Sequence, residues 1–299
     1  MATVITVTGP TGGIGRHVLL ALLEHDEPVR VVARNPDNLP AQVRERVEVV
    51  EGSHADPAVI DRALDGARAL FWLVAGDLSA PSPYDCYVGF SIPAAAAIVR
   101  HDVAHVVTVS ALGRGTQRYT GYVSASLAMD DLLRSTGAHL RALAAPSLMD
   151  NFLREVASLR EGVVRGVAPA DMIAPMVARR DIAAVAARLL LDQTWTGQDD
   201  LPVLGPENLS YDDVTRILTE VLGRPVRYER TGFEESEQAM IGYGASPGMA
   251  RAIIEMARAK SQGLDDVDTP DRATVTPTTL RQWSQEELKP AIDAVATDA

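Results

Sequence analysis

A glycine-rich run, Thr8-Gly9-Pro10-Thr11-Gly12-Gly13-Ile14-Gly15, stands between a strand pattern and a helix pattern and constrains the fold more than any other feature. Upstream, Val4, Ile5 and Val7 form a short β-branched run; downstream, Val18, Leu19, Leu22 and Leu23 recur at helical spacing. A glycine turn at such a junction aims backbone N–H groups outward at a helix N-terminus, where the macrodipole favours an anion. The spacing reads both as Gly9-x-x-Gly12-x-x-Gly15 and as Thr-Gly-x-x-x-Gly-x-Gly. Alone, such a triplet also serves as a plain turn that needs φ > 0. With a second strand following, it predicts a dinucleotide pyrophosphate held by Gly9, Thr11, Gly12, Gly13, Ile14 and Gly15.

The end of the second strand selects the dinucleotide. Val29-Arg30-Val31-Val32-Ala33-Arg34-Asn35 is β-branched and closes on a polar pair before Pro36. An NAD site places a carboxylate near this point to hold the ribose 2′-hydroxyl. Arg34 stands there instead, and a guanidinium pairs with a 2′-phosphate and stacks on adenine. NADP(H) is therefore expected over NAD(H).

Strands and helices then alternate as a doubly wound sheet requires. Strands are expected at Val47–Val50, Ala69–Ala75, His105–Ser110 and Leu140–Leu143, with helices after Asp56-Pro57, over Pro93–Val99, and from Ser124 to Ser135 with Gly137 as C-cap. Beyond Pro146 the pattern changes. Met149 to Leu153 opens a helix, and a loop runs through Gly162, Gly166 and Pro169. Ala183 to Leu191 forms an apolar helix, and Leu201–Pro206 reads as the last strand. Ser210 caps a helix over Tyr211–Leu222, a glycine-broken helical stretch runs from Phe233 to Gly263, and an acidic loop spans Asp265–Asp271 before a terminal helix near Thr278. The expected architecture is α/β: a Rossmann-type doubly wound parallel sheet over residues 1–150 and about 177–206, with a smaller, mostly helical substrate domain over 151–176 and 207–299.

The chain has 299 residues and a net charge of −12, and its two lysines, Lys260 and Lys289, lie far apart. Phosphate-backbone binding needs clustered cations, so a nucleic-acid surface is not expected. The single cysteine, Cys86, suits a reducing compartment and has no adjacent base in sequence to make it a nucleophile. No apolar run reaches the ~18 residues of a spanning helix, and no leader pattern opens the chain, so a cytoplasmic location without membrane contact is expected. His101 and His105 fall on either side of a strand start, and no metal site is expected. Hydrolase chemistry lacks its Gly-x-Ser-x-Gly elbow.

Five stretches together resemble the NmrA-like, atypical members of the short-chain dehydrogenase/reductase superfamily. They are Val7–Gly15, Val32-Ala33-Arg34-Asn35-Pro36, Leu133–Gly137, Ala145–Phe152, and Arg180-Asp181-Ile182-Ala183 with Leu204-Gly205-Pro206-Glu207. The resemblance runs from Ala2 to about Tyr228. It implies an NADP(H)-binding Rossmann domain and a C-terminal domain that shapes a substrate cleft. It also places Ser53 and His54 near adenine, Val74, Ala75 and Gly76 beside the cofactor, and Pro146 and Leu148 behind the nicotinamide.

The superfamily commonly uses Ser, Tyr and Lys, with Tyr and Lys four apart. Here Ser110 ends the fifth strand, Tyr122 follows, and Ser126 stands where the lysine would. A serine hydroxyl can hold a ribose but supplies no charge for a tyrosinate. Tyr122 is then expected to keep an ordinary phenol pKa and to act as a hydrogen-bond donor, with Tyr119 as a loop alternative. Ser53 replaces the usual adenine-binding Asp, and Ala145 replaces an Arg. Tyr84, Tyr87, Asn151, Phe152 and Tyr243 are the candidate substrate contacts. The expected activity is an NADP(H)-dependent reductase passing hydride to a small quinone, enone, imine or polyketide-like carbonyl. A cofactor-binding sensor without turnover, motivated by Ser126, and a non-redox enzyme on the same fold are the alternatives. Helices near Ala94 and Ser126 offer a face for a homodimer, which apolar periodicity does not separate from core packing.

Overall fold

A computed structural model describes residues 4–266 and 273–297. At its centre are the β-branched runs of the first half: β1 (Val4–Thr8), β2 (Val29–Ala33), β3 (Glu48–Glu51), β4 (Ala67–Trp72), β5 (His105–Ala111) and β6 (His139–Ala145). They lie in the order β6-β5-β4-β1-β2-β3, and every pairing among them is parallel. Alternate strand residues feed opposite faces, as the pleat demands. Leu70, Trp72 and Val106 pack under α3 (Pro57–Leu64), α4 (Phe90–Arg100) and α5 (Tyr122–Arg134). Ile5, Val7, Phe71 and Val107 pack on the other face with α1 (Gly15–Glu24) and α7 (Arg179–Leu191). A short α2 (Ala41–Arg44) precedes β3. The order reverses between β1 and β4, and the crevice beyond the carboxyl ends there is where open α/β sheets bind ligands.

Local chemistry sets several boundaries. Asp56 caps α3 by accepting from Ala58 N and Val59 N. Pro93 lies in the first turn of α4 and has no N–H, and the preceding Asp85–Gly89 turn is widened into a π-helix. Helix α5 stops at Ser135 rather than at Gly137, whose φ of +83° turns the chain two residues later.

The second half departs further from expectation. Met149–Glu155 is a 3-10 segment that leads into α6 (Val156–Arg160). The expected glycine loop holds two strands, because each finds a partner distant in sequence. β8 (Val163–Gly166) pairs in parallel with β12 (Arg227–Arg230). β9 (Ala174–Val177) joins β7 (Ser147–Leu148) and β11 (Asn208–Leu209) in a three-stranded sheet. Strand β10 (Gln198–Leu204) is not the edge of the main sheet, since β13 (Thr274–Val275) pairs outside it. Ser210 caps α8 (Tyr211–Leu222) in a capping box with Asp213, and Gly223 ends it at φ +68°. The glycine-broken stretch resolves into α9 (Phe233–Gly242) and α10 (Pro247–Lys260). The terminal region starts behind the Thr279 cap, with α11 (Leu280–Trp283) and α12 (Lys289–Thr297). The acidic segment expected at Asp265–Asp271 lies outside the described residues from 267 onward.

Candidate cofactor and substrate cleft

The glycine loop is shaped by contacts of backbone on backbone. Gly9 sits at φ +63°, and the Gly12 amide donates to its carbonyl at 3.0 Å. A Cβ at Gly15 would lie 2.1 Å from that same oxygen, so helix α1 can begin there only without a side chain. A Cβ at Gly13 would meet the Arg179 guanidinium at 2.7 Å. Arg179, the first residue of α7, is therefore folded across the loop, and its amide donates to Asp150 Oδ2 at 3.0 Å. A glycine-rich turn, a helix N-terminus and an adjacent cation together suit a diphosphate.

Arg34 is exposed just past β2 and has no hydrogen bond or ion pair among the described residues. Its neighbour His54 is held elsewhere. Its Nε2 lies 3.1 Å from the Leu73 carbonyl, and its ring packs edge-on against Trp72 and Phe90. Burial, assisted by the Arg34 charge, pushes His54 down to about 4, so the imidazole is neutral. Ser53 accepts from the Ala55 amide. Neither residue lines the cleft described next.

That cleft, of about 430 Å³, opens at the carboxyl ends of β1, β4, β5 and β6. One side carries Gly12, Gly13 and Ile14 with Val74, Ala75 and Gly76; Pro146 and Leu148 form its back. The facing wall carries Tyr87, Tyr122 and Ser126 with Asn151 and Arg154. Gly121, at φ +58°, lets α10 press on the start of α5, since a Cβ there would lie 2.1 Å from Ala252 O. Tyr122 follows it, packed edge-on against Tyr87 at 5.1 Å between ring centres. Its hydroxyl reaches over Gly76, where a Cβ would stand 2.3 Å away. Burial raises the Tyr122 phenol above its ordinary value, with the Tyr87 hydroxyl partly offsetting this. The expected ordinary phenol is thus corrected, and a neutral hydrogen-bond donor results.

Below Tyr122, the helix repeat brings Ser126 and then Asp130 to the same face. Ser126 is buried and lines the cleft. Ser110 lines it too, and its hydroxyl donates to Asp130 Oδ2. Asp130 is wholly buried, and its Oδ1 has no partner. Burial pushes its carboxyl up to about 7, against the pull of Ser110 and Arg114. Arg114 is shared: it lies 3.4 Å from Asp130, 2.8 Å from Asp131 and 3.0 Å from Asp200.

Of the candidate substrate contacts, Tyr87 and Asn151 reach the cleft. Phe152 instead is buried in the C-terminal core, 6.4 Å from the Trp283 ring. Tyr84 and Tyr243 are 43% and 93% exposed and line no part of the cleft. Cys86 is buried, accepts from the Asp77 amide, and has a thiol raised by burial, which makes it inert. Three charged cleft residues were not legible as site residues in the sequence: Arg154, Arg179 and Lys260. Arg154 stands one helical turn past Asn151, a spacing that could have marked it. Lys260 arrives from α10 and is bound by both oxygens of Asp265, at 2.6 and 2.7 Å. No local pattern announces it. Among the described residues no group of His, Cys, Asp or Glu could hold a metal, and no helix is long and apolar enough to cross a membrane.

Residues 9–193 match the model of the NAD(P)H-binding family. Over 295 residues the chain is 32% identical to a (4-alkanoyl-5-oxo-2,5-dihydrofuran-3-yl)methyl phosphate reductase from Streptomyces griseus, covering 95% of this chain and 98% of the relative. It is 26% identical to an NAD(P)H azoreductase from Xenophilus azovorans, covering 84% and 85%. Among solved structures, an NADPH-dependent quinone oxidoreductase from Escherichia coli, complexed with NADPH, matches with a TM-score of 0.77 at 20% identity over 98% and 99% of the two chains. Triphenylmethane reductase from Citrobacter, complexed with NADP(H), matches at 0.74 and 21% over 97% and 99%.

Proposed function

The chain belongs to the NAD(P)H-binding family, among NAD(P)H-dependent reductases, and from that premise we propose that it reduces a small conjugated carbonyl compound bearing an anionic group, with NADPH as the preferred cofactor. One observation carries the reading: a single cleft joins the glycine loop to a wall of hydroxyl donors and a cation.

The residues divide by task. The glycine-rich turn would hold the pyrophosphate by those backbone N–H groups not already bonded within it, as the Gly12 amide is to Gly9 O, together with the Arg179 guanidinium, and Arg34 would pair with the 2′-phosphate. Val74, Ala75 and Gly76 with Pro146 and Leu148 line the part of the cleft that would hold the nicotinamide. When bound, the cofactor supplies hydride to the electron-poor carbon of the substrate. Tyr122 donates a hydrogen bond to the carbonyl oxygen, where negative charge grows as hydride arrives, and Ser110 joins it when its O–H, given to Asp130 in this structure, turns to the cleft. Tyr122 lacks the neighbouring lysine that would make it a base, which favours its use as a neutral donor.

The anionic group is read by Arg154. No Asp or Glu lines this cleft, although the chain carries 40 acidic and 28 basic residues. Arg154 makes no hydrogen bond or ion pair among the described residues. It lies near enough to Tyr122 to lower that phenol, after burial, Tyr87 and Cys86 have had their larger effects. The phosphate in the name of the Streptomyces griseus relative agrees with this assignment.

The test compares an enone phosphate with its free alcohol while NADPH oxidation is followed. Arg154→Ala should raise KM for the phosphate by roughly 10- to 100-fold, the worth of one charge-assisted contact, and leave the alcohol unchanged. Equal effects on both compounds would remove Arg154 from substrate recognition. An absence of NADPH oxidation across enones, quinones and imines would remove the reductase reading itself.

A further inference from the structure

Resting on the reductase reading above, we infer that Asp130 is a positioning residue that holds a proton behind Ser110 and passes it, through the Ser110 hydroxyl, to the reduced substrate.

The geometry sets Asp130 directly behind a cleft hydroxyl, Ser110, and beside the Arg114 guanidinium. It lies on α5, two helical turns beyond Tyr122, with its side chain wholly withdrawn from solvent. One oxygen takes the Ser110 hydrogen bond and a longer one from Arg114 at 3.4 Å, and the other is buried with no partner. A buried carboxylate oxygen without a donor is costly, whereas a carboxylic acid places its proton on one oxygen and removes most of that cost. Charge counting agrees. Three carboxylates, Asp130, Asp131 and Asp200, meet two guanidiniums, Arg114 and Arg134. The cluster is neutral when one carboxyl is protonated, and Asp130 is the one with no solvent access. The Tyr87 phenol faces the same carboxyl from the turn before α4 and carries no charge near neutral pH. Burial pushes Asp130 up to about 7.

The protonation state also decides where the Ser110 hydroxyl points. Opposite a carboxylate, Ser110 spends its proton on Asp130. Opposite a carboxylic acid, Asp130 donates, Ser110 accepts, and the Ser110 O–H is released toward the cleft. Hydride adds to the substrate carbon and forms one C–H bond, leaving an enolate or alkoxide. Ser110 then gives that anion its proton and takes the Asp130 proton in the same movement. Asp130 is left as a carboxylate, and once product leaves, water in the cleft gives a proton to Ser110 as Ser110 passes its own back to Asp130 before the next turnover.

The experiment has two readouts on the full-length protein. Carboxyl infrared difference spectra across pH should show a protonated acid that titrates near neutrality in the wild type and is absent from Asp130→Asn. With an enone substrate, kcat should fall as pH rises through neutrality in the wild type and in Asp130→Glu. Asp130→Asn should lose roughly 100-fold in kcat, with KM little changed and that descending limb flattened. An Asp130 already ionised at pH 6, or an Asp130→Asn profile that keeps the wild-type limb, would overturn the relay. A neutral-range titration in a protein that turns over no carbonyl would place the failure on the reductase reading instead.

Discussion

The two sides of the cleft are made of different material. The glycine-loop side is backbone folded on backbone, drawn from one stretch of eight residues, Thr8 to Gly15, plus the single guanidinium of Arg179. The facing wall is side chain: Tyr122 and Ser126 from α5, Ser110 from β5, Arg154 from the 3-10 segment, with Asp130 behind. A backbone site recognises what every dinucleotide shares and tolerates no added atoms. A side-chain wall tolerates single changes and carries the chemistry specific to this chain.

That contrast predicts a gradient of effects. The largest should come from Gly15→Val, which puts a side chain where even a Cβ lies 2.1 Å from Gly9 O. Binding of NADPH and NADH should both be lost, and thermal unfolding should show a destabilisation of about 1–3 kcal/mol or more from overpacking. Retained cofactor affinity would break the backbone account of that side. Next comes Arg34→Ala, which removes one charge and no backbone. NADPH affinity by calorimetry should fall roughly 10- to 100-fold with NADH affinity unchanged. Equal losses would mean that Arg34 does not reach a 2′-phosphate. Gly76→Ala should be milder still, because the atom it meets is the movable Tyr122 hydroxyl. A several-fold drop in kcat, with NADPH affinity kept, would confirm that the wall acts on the substrate.

The smallest effect sharpens the comparison through pH. Asp130 has a folded pKa of about 7 against 3.8 unfolded, so the folded state binds more protons between those values. It therefore favours folding below about pH 4 and loses that contribution as pH rises to 7. His54, lowered to about 4 from 6.5, has the opposite slope: its contribution is present above 6.5 and fades as pH falls toward 4. Asp130→Asn should make stability rise more steeply with pH over that window, and His54→Gln should make it rise less. Urea unfolding at pH 4.5, 6 and 8 measures both.

The same contrast explains what could be read from the sequence. The succession of strands and helices and the glycine loop follow from local patterns, since a parallel βαβ series writes each element in a contiguous run. Arg34 is legible because it ends one such run. The second half is not, because β8 finds β12 and β10 finds β13 across more than sixty residues, and no local period records a long-range pairing. Phe152 looked like a cleft residue because it follows β6, yet the turn at Met149–Glu155 rotates it into the core against Trp283. Asp130 was recoverable, standing four and eight residues past Ser126 and Tyr122 on one helix face. Lys260 was not, since only tertiary packing of α10 on α5 brings it to the cleft.

The most direct test of the central claim uses NADPH carrying deuterium at the nicotinamide C4, incubated with an enone phosphate, with product analysed by mass spectrometry and NMR. The account predicts one deuterium on a substrate carbon, and a second hydrogen from solvent. A product without deuterium, or none at all while NADPH stays bound, would contradict it.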